Sequence, residues 1–432
     1  MPACKIVAIA LVAFGLLSAC SEAEKLGTTT NSGVSADPIA DANVGSGVDR
    51  THSHAFTPAQ DAFVASYLAS SAGEESMDLE RVITEPSALS HEEMSTIFAH
   101  PQLGMRGLEV MVDLMKPEGS MYFDAIFGAN YGQHAIRNWL IPTMQENAFL
   151  EFRPTGPGLF MDDGEGGTSA DEWVMVAKIE GKEIPLGNGI SVRRFRDGWI
   201  VDAIDVYDTA PSRMPPPADA AATMGDMPPP PPLPPYPVMQ FSAIEQRVQP
   251  LSEAASQWLT ARQAVHAAGT EHANATPSTL SNEELHDLHN HPRVGMDPQL
   301  VADMMHPTDS VYIDPLFGRF EGQAKIRDWY TDIMGKVGDI KFEALAPIAW
   351  DGSTSLQMWR QYAEPEGAER VNMAWGFSVR KFKDGWITYA ADYFDTAAMA
   401  DPAVQAVSTA IGSRITPEDI MRYRTPNASS EG

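Results

Sequence analysis

The sequence predicts an α+β fold present twice in tandem, and three observations predict it. The chain repeats itself: residues 113–144 pair without a gap with 303–334, with 14 of 32 positions identical, and 192–210 pair with 379–397, with 12 of 19 identical. A long repeat present only twice is a duplicated domain rather than a solenoid. Each copy opens on helix signals and closes on alternating strand-like segments, an order that lays helices on one face of a mostly antiparallel sheet. Between the copies, residues 211–237 hold 12 prolines. Proline fixes φ and lacks a donor, so this stretch reads as a semi-rigid polyproline II spacer.

The elements follow in the same order in both copies. Segments 56–86 and 239–268 read as amphipathic helix before each copy. Ser90 with Glu93, and Ser281 with Glu284, have the spacing of a capping box: a serine accepts the backbone N–H three residues on and the glutamate reaches back. A second helix follows near 108–115 and 300–305, stopped by Pro117 and Pro307. Short strands come next at 120–124 and 310–314. Gly132 and Gly322 then open a third helix whose apolar face carries Ile136, Trp139, Leu140 and Thr143, or Ile326, Trp329, Tyr330 and Ile333, at helical spacing. The copies end in a hairpin that turns at Asp197-Gly198 and Asp384-Gly385, the strongest short-range hairpin signal.

Composition narrows the functional classes. Thirty Lys and Arg stand against 58 Asp and Glu, a net charge of −28, which argues against nucleic acid or an anionic lipid surface as partner. The only cysteines, Cys4 and Cys20, lie at the N-terminus, so the folded body has no thiolate for a disulfide, a zinc site or a nucleophile. Residues 1–19 read as a signal peptide: a lysine, an apolar run from Ile6 to Leu17, then small residues. Leu17-Ser18-Ala19-Cys20 resembles the lipobox of bacterial lipoproteins, which implies lipid on Cys20 and cleavage before it. Ser21 then implies the periplasmic face of the outer membrane. Residues 20–55 read as a flexible tether. The expected layout is therefore a tether to 55, a first domain at 56–210, the linker at 211–237, a second domain at 238–400 and a tail at 401–432.

Val311-Tyr312-Ile313-Asp314-Pro315 and Gly322-Gln323-Ala324-Lys325-Ile326-Arg327, with the late Gly385-Trp386-Ile387 and Tyr393-Phe394-Asp395-Thr396-Ala397, resemble the nuclear transport factor 2-like superfamily. The likeness is to its SnoaL-like polyketide cyclase and ketosteroid isomerase branches. The resemblance implies two cone-shaped domains, each with a strongly curved sheet around a pocket. It also implies that Asp314, and Asp124 in the first copy, is a base moving a proton beside a carbonyl. The acid that the isomerases use as an oxyanion donor falls on Ser378, and on Ser191, neither of which can supply a neutral carboxylic acid.

The residues themselves leave alternatives open. Tyr122 and Asp124, and Tyr312 and Asp314, stand two apart on a strand and share a face. The aspartate is either a base in an apolar pocket or a cap on the following turn. Asp205 and Asp392 share strand parity with Trp199 and Trp386 and are placed in the pocket, while Asp208 and Asp395 are expected to cap the chain exit. Arg137 and Arg327 are either a water-activating group, as in the epoxide-hydrolase branch, or structural ion pairs. His286, His289 and His291 read as surface histidines rather than metal ligands. No dinucleotide or phosphate-loop motif appears, so no cofactor is expected. Two functions remain. The favoured expectation is a lipid-anchored protein that binds a small apolar molecule without catalysis, its two domains pairing with each other or in a homodimer. The alternative is a cofactor-independent isomerase, cyclase or dehydratase with an aspartate base.

Overall fold

A computed structural model describes residues 56–70, 78–209 and 250–424, apart from 105, 149, 157, 180, 181, 270–275 and 292. Cys20, the tether and the 211–237 spacer lie outside the described residues. The described chain falls into two compact units, one on either side of the spacer.

In the first unit α1 (Pro58–Ser70), α2 (His91–Thr96) and α3 (Arg106–Asp113) precede β1 (Met121–Asp124) and β2 (Gly128–Tyr131). Then come α4 (Gln133–Glu146), β3 (Leu150–Pro154), β4 (Leu159–Asp162), β5 (Gly166–Ile179), β6 (Lys182–Arg196) and β7 (Trp199–Tyr207). The second unit repeats the order with α5 (Glu253–Ala267), α6 (Asn282–Asn290), α7 (Pro298–Met304), β8 (Val311–Asp314), β9 (Gly318–Glu321) and α8 (Gln323–Met334). It continues through β10 (Lys341–Trp350), β11 (Thr354–Ala363), β12 (Val371–Lys383) and β13 (Trp386–Phe394). Both capping boxes form: Ser90 and Ser281 accept from the backbone of Glu93 and Glu284, whose carboxylates return to the serine N–H. Such caps are each worth about 1 kcal/mol. The segment read as a tail adds α9 (Pro402–Ala410) and α10 (Pro417–Arg424) to the second unit. Tyr423 of α10 meets the rings of Phe317 and Phe320, and Asp419 bonds Lys336 at 2.7 Å.

The sheets run β2-β1-β7-β6-β5-β3, with β4 also on β5, and β10-β11-β12-β13-β8-β9. The last strand of each copy returns parallel beside the first, β7 on β1 and β13 on β8, so the sheets are mixed. Such a pairing needs a long crossover, which the intervening helix and strands supply. The expected cone with a strongly curved sheet is not formed. Neither sheet is closed or strongly curled, because the two end strands of each do not pair. The helices bury apolar residues against the sheet: Val64, Met94, Val110 and Ile136 meet Phe195 and Ile200 in the first core, and Leu259, Leu285, Leu300 and Ile326 meet Phe382 and Ile387 in the second. Each fully buried aliphatic side chain contributes about 1.5–3 kcal/mol. No helix among the described residues is long and apolar enough to cross a membrane.

Both hairpins turn through two residues with positive φ, Asp197 (52°) and Gly198 (76°), and Asp384 (51°) and Gly385 (80°), the primed turn that suits the strand twist. A Cβ on Gly385 would strike the carbonyl oxygen of Ser278, whose N–H donates to the Gly385 carbonyl at 3.2 Å. Gly385→Ala is therefore expected to cost about 1–3 kcal/mol, read as a lower urea midpoint for the second domain.

Candidate active site

Ala390 is the geometric centre of the second domain's polar cluster. It lies opposite Tyr312 on β8 and opposite Arg380 on β12. Its methyl leaves room for both long side chains to converge toward Asp392, two residues further along β13 on the same face. Asp392 accepts from the Tyr312 hydroxyl at 2.6 Å, from Ser378 Oγ at 2.6 Å and from Arg380 Nη2 at 2.9 Å. Arg380 also donates to the Tyr312 oxygen at 3.2 Å, and its Nη1 to the carbonyls of Val379 and Ala391. The guanidinium is therefore fixed on four partners. Ser378 is fixed in turn by Trp359, whose Nε1 donates to its oxygen at 2.9 Å. That indole lies across Gly376, the register partner of Trp359, and any Cβ there would crowd the indole.

Electrostatics follow from burial. Burial and the Asp392 charge push the Tyr312 phenol well above its ordinary range, so it is a hydrogen-bond donor at physiological pH. Burial opposes the charge on Arg380, but Asp392 and Tyr312 more than offset this and hold it cationic. His289 stands beside this group rather than on the surface: burial and the Arg380 charge push its pKa down to about 3, so it stays neutral. That corrects the expectation of three surface histidines.

The first domain builds a related group with different wiring. Tyr122 lies opposite Ala203 on β7 and donates to Asp205, and Trp173 Nε1 donates to Ser191 at 2.9 Å. Arg193, the counterpart of Arg380, turns away to Asp171 at 2.9 Å. Asp124 lies directly opposite Asp205 in the parallel register and accepts from the Tyr207 hydroxyl at 3.2 Å. Burial, then the Asp205 charge, pushes the Asp124 carboxyl up to about 7. A raised folded pKa means the native state binds the extra proton, so this contribution is full below about pH 4 and is lost as pH rises through 7. The melting temperature of the first domain is expected to fall over that window, and Asp124→Asn to flatten the slope in pH-stepped calorimetry.

The structure brings together Tyr312 with Asp392 and Tyr122 with Asp205, adds Arg380, which sequence reasoning did not single out, and brings in Ser378, which stood at the oxyanion-donor position but was set aside as no carboxylic acid. Asp314 and Asp124 accept from the two N–H groups that follow them in the turn, Leu316 and Phe317 at 2.8 and 2.9 Å, and Ile126 and Phe127 at 2.8 and 3.0 Å. Arg137 bonds Asp113, and Arg327 bonds Asp303 at 2.5 Å, within the helical layer. Asp303 is fully buried and also meets Arg262 Nε at 2.6 Å and His266 Nε2 at 2.8 Å. Asp395 caps the short turn of helix after β13. Among the described residues, no three His, Cys, Asp or Glu are grouped to hold a metal ion. Two surface concavities, at Ser87, His91, Phe160 and Gly198 and at Asp332, Lys336 and Arg414, do not touch either tyrosine–aspartate group.

A family model for the SnoaL-like domain matches residues 294–390. The chain thus carries two nuclear transport factor 2-like, SnoaL-like domains, the second matched directly and the first repeating its fold. Among solved structures, an LEH-like epoxide hydrolase from M. tuberculosis is similar at 25% identity, over 27% of this chain and 81% of that one, with a TM-score of 0.21. A SnoaL-like polyketide cyclase structure from Shewanella putrefaciens is similar at 15% identity, over 29% and 86%, with a TM-score of 0.24. A polyketide cyclase structure from Pseudomonas putida is similar at 12%, over 28% and 93%, with a TM-score of 0.23. No curated protein shows significant similarity to the chain.

The expectation of binding without catalysis does not stand. It rested on the lack of an oxyanion donor, and Tyr312, Ser378 and Arg380 supply donors around a carboxylate. Together with the buried Asp303 network, these donors favour the acid–base alternative over binding alone.

Proposed function

We propose that the second domain is a cofactor-independent acid–base enzyme, an isomerase, cyclase or dehydratase acting on a small apolar molecule. The observation that carries this is the convergence of Tyr312, Ser378 and Arg380 on Asp392. In this reading Asp392 takes a proton from carbon. Arg380 and Tyr312, already aimed and desolvated, stabilise the negative charge that grows on the neighbouring substrate oxygen. Asp314 serves the turn. The test is solvent-deuterium exchange into a panel of small cyclic ketones and hydroxyketones, followed by mass spectrometry. Exchange is expected with the native chain, to fall at least about 100-fold in Asp392→Asn and to survive in Asp314→Asn. Equal loss in both variants, or exchange unaffected by Asp392→Asn, overturns the assignment.

We also propose that Cys20 carries lipid and holds both domains at the periplasmic face of the outer membrane, supported by the Leu17-Ser18-Ala19-Cys20 phrase. Intact mass of the mature protein is expected to show cleavage before Cys20 and acyl chains on it; an unmodified serine start would refute the anchor.

A further inference from the structure

The chain holds two duplicated pairs of tryptophans, and the pairs treat their indole N–H groups differently. Trp173 on β5 and Trp359 on β11 both donate to a serine, Ser191 and Ser378, at 2.9 Å. Trp139 and Trp329, at matching positions of α4 and α8, do not. Both of their Nε1 atoms are shielded from solvent, and neither finds an acceptor among the described residues. An indole N–H can only donate, and a buried donor left without an acceptor is costly and therefore rare. A phenylalanine would supply similar aromatic packing without that cost. The same orphaned donor nevertheless stands twice in one chain, in two copies whose arginines are wired differently.

Both indoles border the tyrosine–aspartate groups. Between ring centres, Trp329 lies 4.9 Å from Tyr312 and 6.0 Å from Phe317, and Trp139 lies 5.4 Å from Tyr122 and 5.7 Å from Phe127. Trp329 is only 2% exposed, and Phe320 stacks on it at 4.3 Å. The faces of this indole are taken up by packing, and the N–H on its edge is the one polar group left for recognition.

We propose that Trp139 and Trp329 are ligand-anchoring residues, each donating its indole N–H to a neutral acceptor oxygen of a small apolar molecule. Both domains then recognise the same chemical feature, a carbonyl, ether or hydroxyl oxygen distinct from the one that reacts. A carboxylate or phosphate does not suit this position. Asp205 and Asp392 sit at the hydroxyls of the tyrosines on which the two indoles pack, and they repel an anion. In the second domain the proposal rests on the acid–base reading of Asp392, and it makes the substrate a molecule with two oxygens, one facing Arg380 and Tyr312 and the other on Trp329. In the first domain it assigns a binding site that does not depend on that reading.

The test is magnetic resonance of the indole N–H groups in the full chain, isotope-labelled at tryptophan, with Trp139→Phe and Trp329→Phe assigning the two signals. Trp173 and Trp359 are internal standards for a bonded indole. In the free protein the Trp139 and Trp329 signals are expected upfield of those standards. Titration with acetyltetralone, a neutral molecule with two carbonyl oxygens, is expected to move both signals toward them. Isopropenyltetralone, in which carbon replaces the acetyl oxygen, is the control. Affinity in each domain, followed at Trp173 or Trp359, is expected to be about five- to tenfold higher for the acetyl compound. Trp139→Phe and Trp329→Phe should each abolish that difference in their own domain, whereas a purely structural role weakens both compounds alike. If Trp329→Phe fails to fold, Trp139→Phe asks the same question in the first domain. Free-state signals already at the bonded position show an internal partner or a resident water and overturn the proposal. So do signals unmoved at millimolar acetyltetralone, or an affinity gap that survives in the Phe variants. Asp392→Asn is expected to leave the second-domain gap intact, so failure of the anchor and failure of the acid–base assignment are read separately.

Discussion

Asp303→Asn is expected to destabilise the second domain by about 3–5 kcal/mol, enough to consume much of the 5–15 kcal/mol that holds a typical domain together. The argument is one of uncompensated charge. The Asp303 carboxylate is wholly shielded from water and is the counter-ion for Arg262 and Arg327, with His266 at 2.8 Å on the same oxygen as Arg262. An asparagine fills the same space but leaves two guanidinium groups in the helical layer without a negative partner. Each must then rehydrate by opening the contact between α5, α7 and α8. Chemical denaturation with domain-resolved hydrogen exchange is the measurement, with the first domain as internal reference. Its counterpart Asp113 also carries two arginines, Arg137 and Arg81. Protection lost only in the second domain is the expected result. A second domain within about 1 kcal/mol of native would show that the two arginines find water or other partners without unfolding.

Arg380→Met is expected to lower turnover by about 100- to 1000-fold while the fold stays close to native. Methionine keeps most of the stem that packs against the sheet, and removes the one cation that Asp392 and Tyr312 share. The carboxylate keeps two donors, Tyr312 and Ser378, so it is not left without partners. The loss should therefore fall on kcat more than on stability, because the charge is aimed at an oxygen that becomes negative only during reaction. Arg380→Lys restores charge but not the forked geometry, and is expected to recover only part of the rate. A Met variant with unchanged kcat would remove Arg380 from the chemistry and leave it a structural clamp.

Local signals carried far in this sequence. The capping serines, the Asp-Gly hairpins and the helix opening at Gly132 and Gly322 depend on residues within four positions of each other, and each has the predicted form. Strand parity was also enough to put Asp392 on the face of Tyr312. Ser378 was placed at the oxyanion-donor position by the resemblance, but Arg380 was harder. It reaches Asp392 only through the antiparallel register of β12 on β13, which carries an irregularity between Lys381 and Phe382. Counting residues from the hairpin does not cross that bulge correctly. The available signal was the repeat itself, since Ser191-Val192-Arg193 and Ser378-Val379-Arg380 are identical. The Asp303 network was illegible for another reason: Arg262 is 41 residues away on a helix whose face no periodicity fixes strongly. The curved cone came from family resemblance rather than from residues, and that is the part of the fold that the structure changed.

The parallel return of the last strand also sets an order of assembly. Tyr312 and Asp392 are 80 residues apart, and Tyr122 and Asp205 are 83 apart, so neither pair exists until nearly the whole domain has been made. Contacts this distant in sequence form late, after the loop between them has been ordered by local structure. A chain arrested before residue 392 lacks α9, α10 and the rest of β13, the strand that joins β12 to β8, and with it the carboxylate on which the donors converge. During synthesis the first domain would complete its Tyr122–Asp205 pair while the second was still unmade. The two tyrosine–aspartate pairs thus arrive in two steps, each gated by the emergence of a single closing strand.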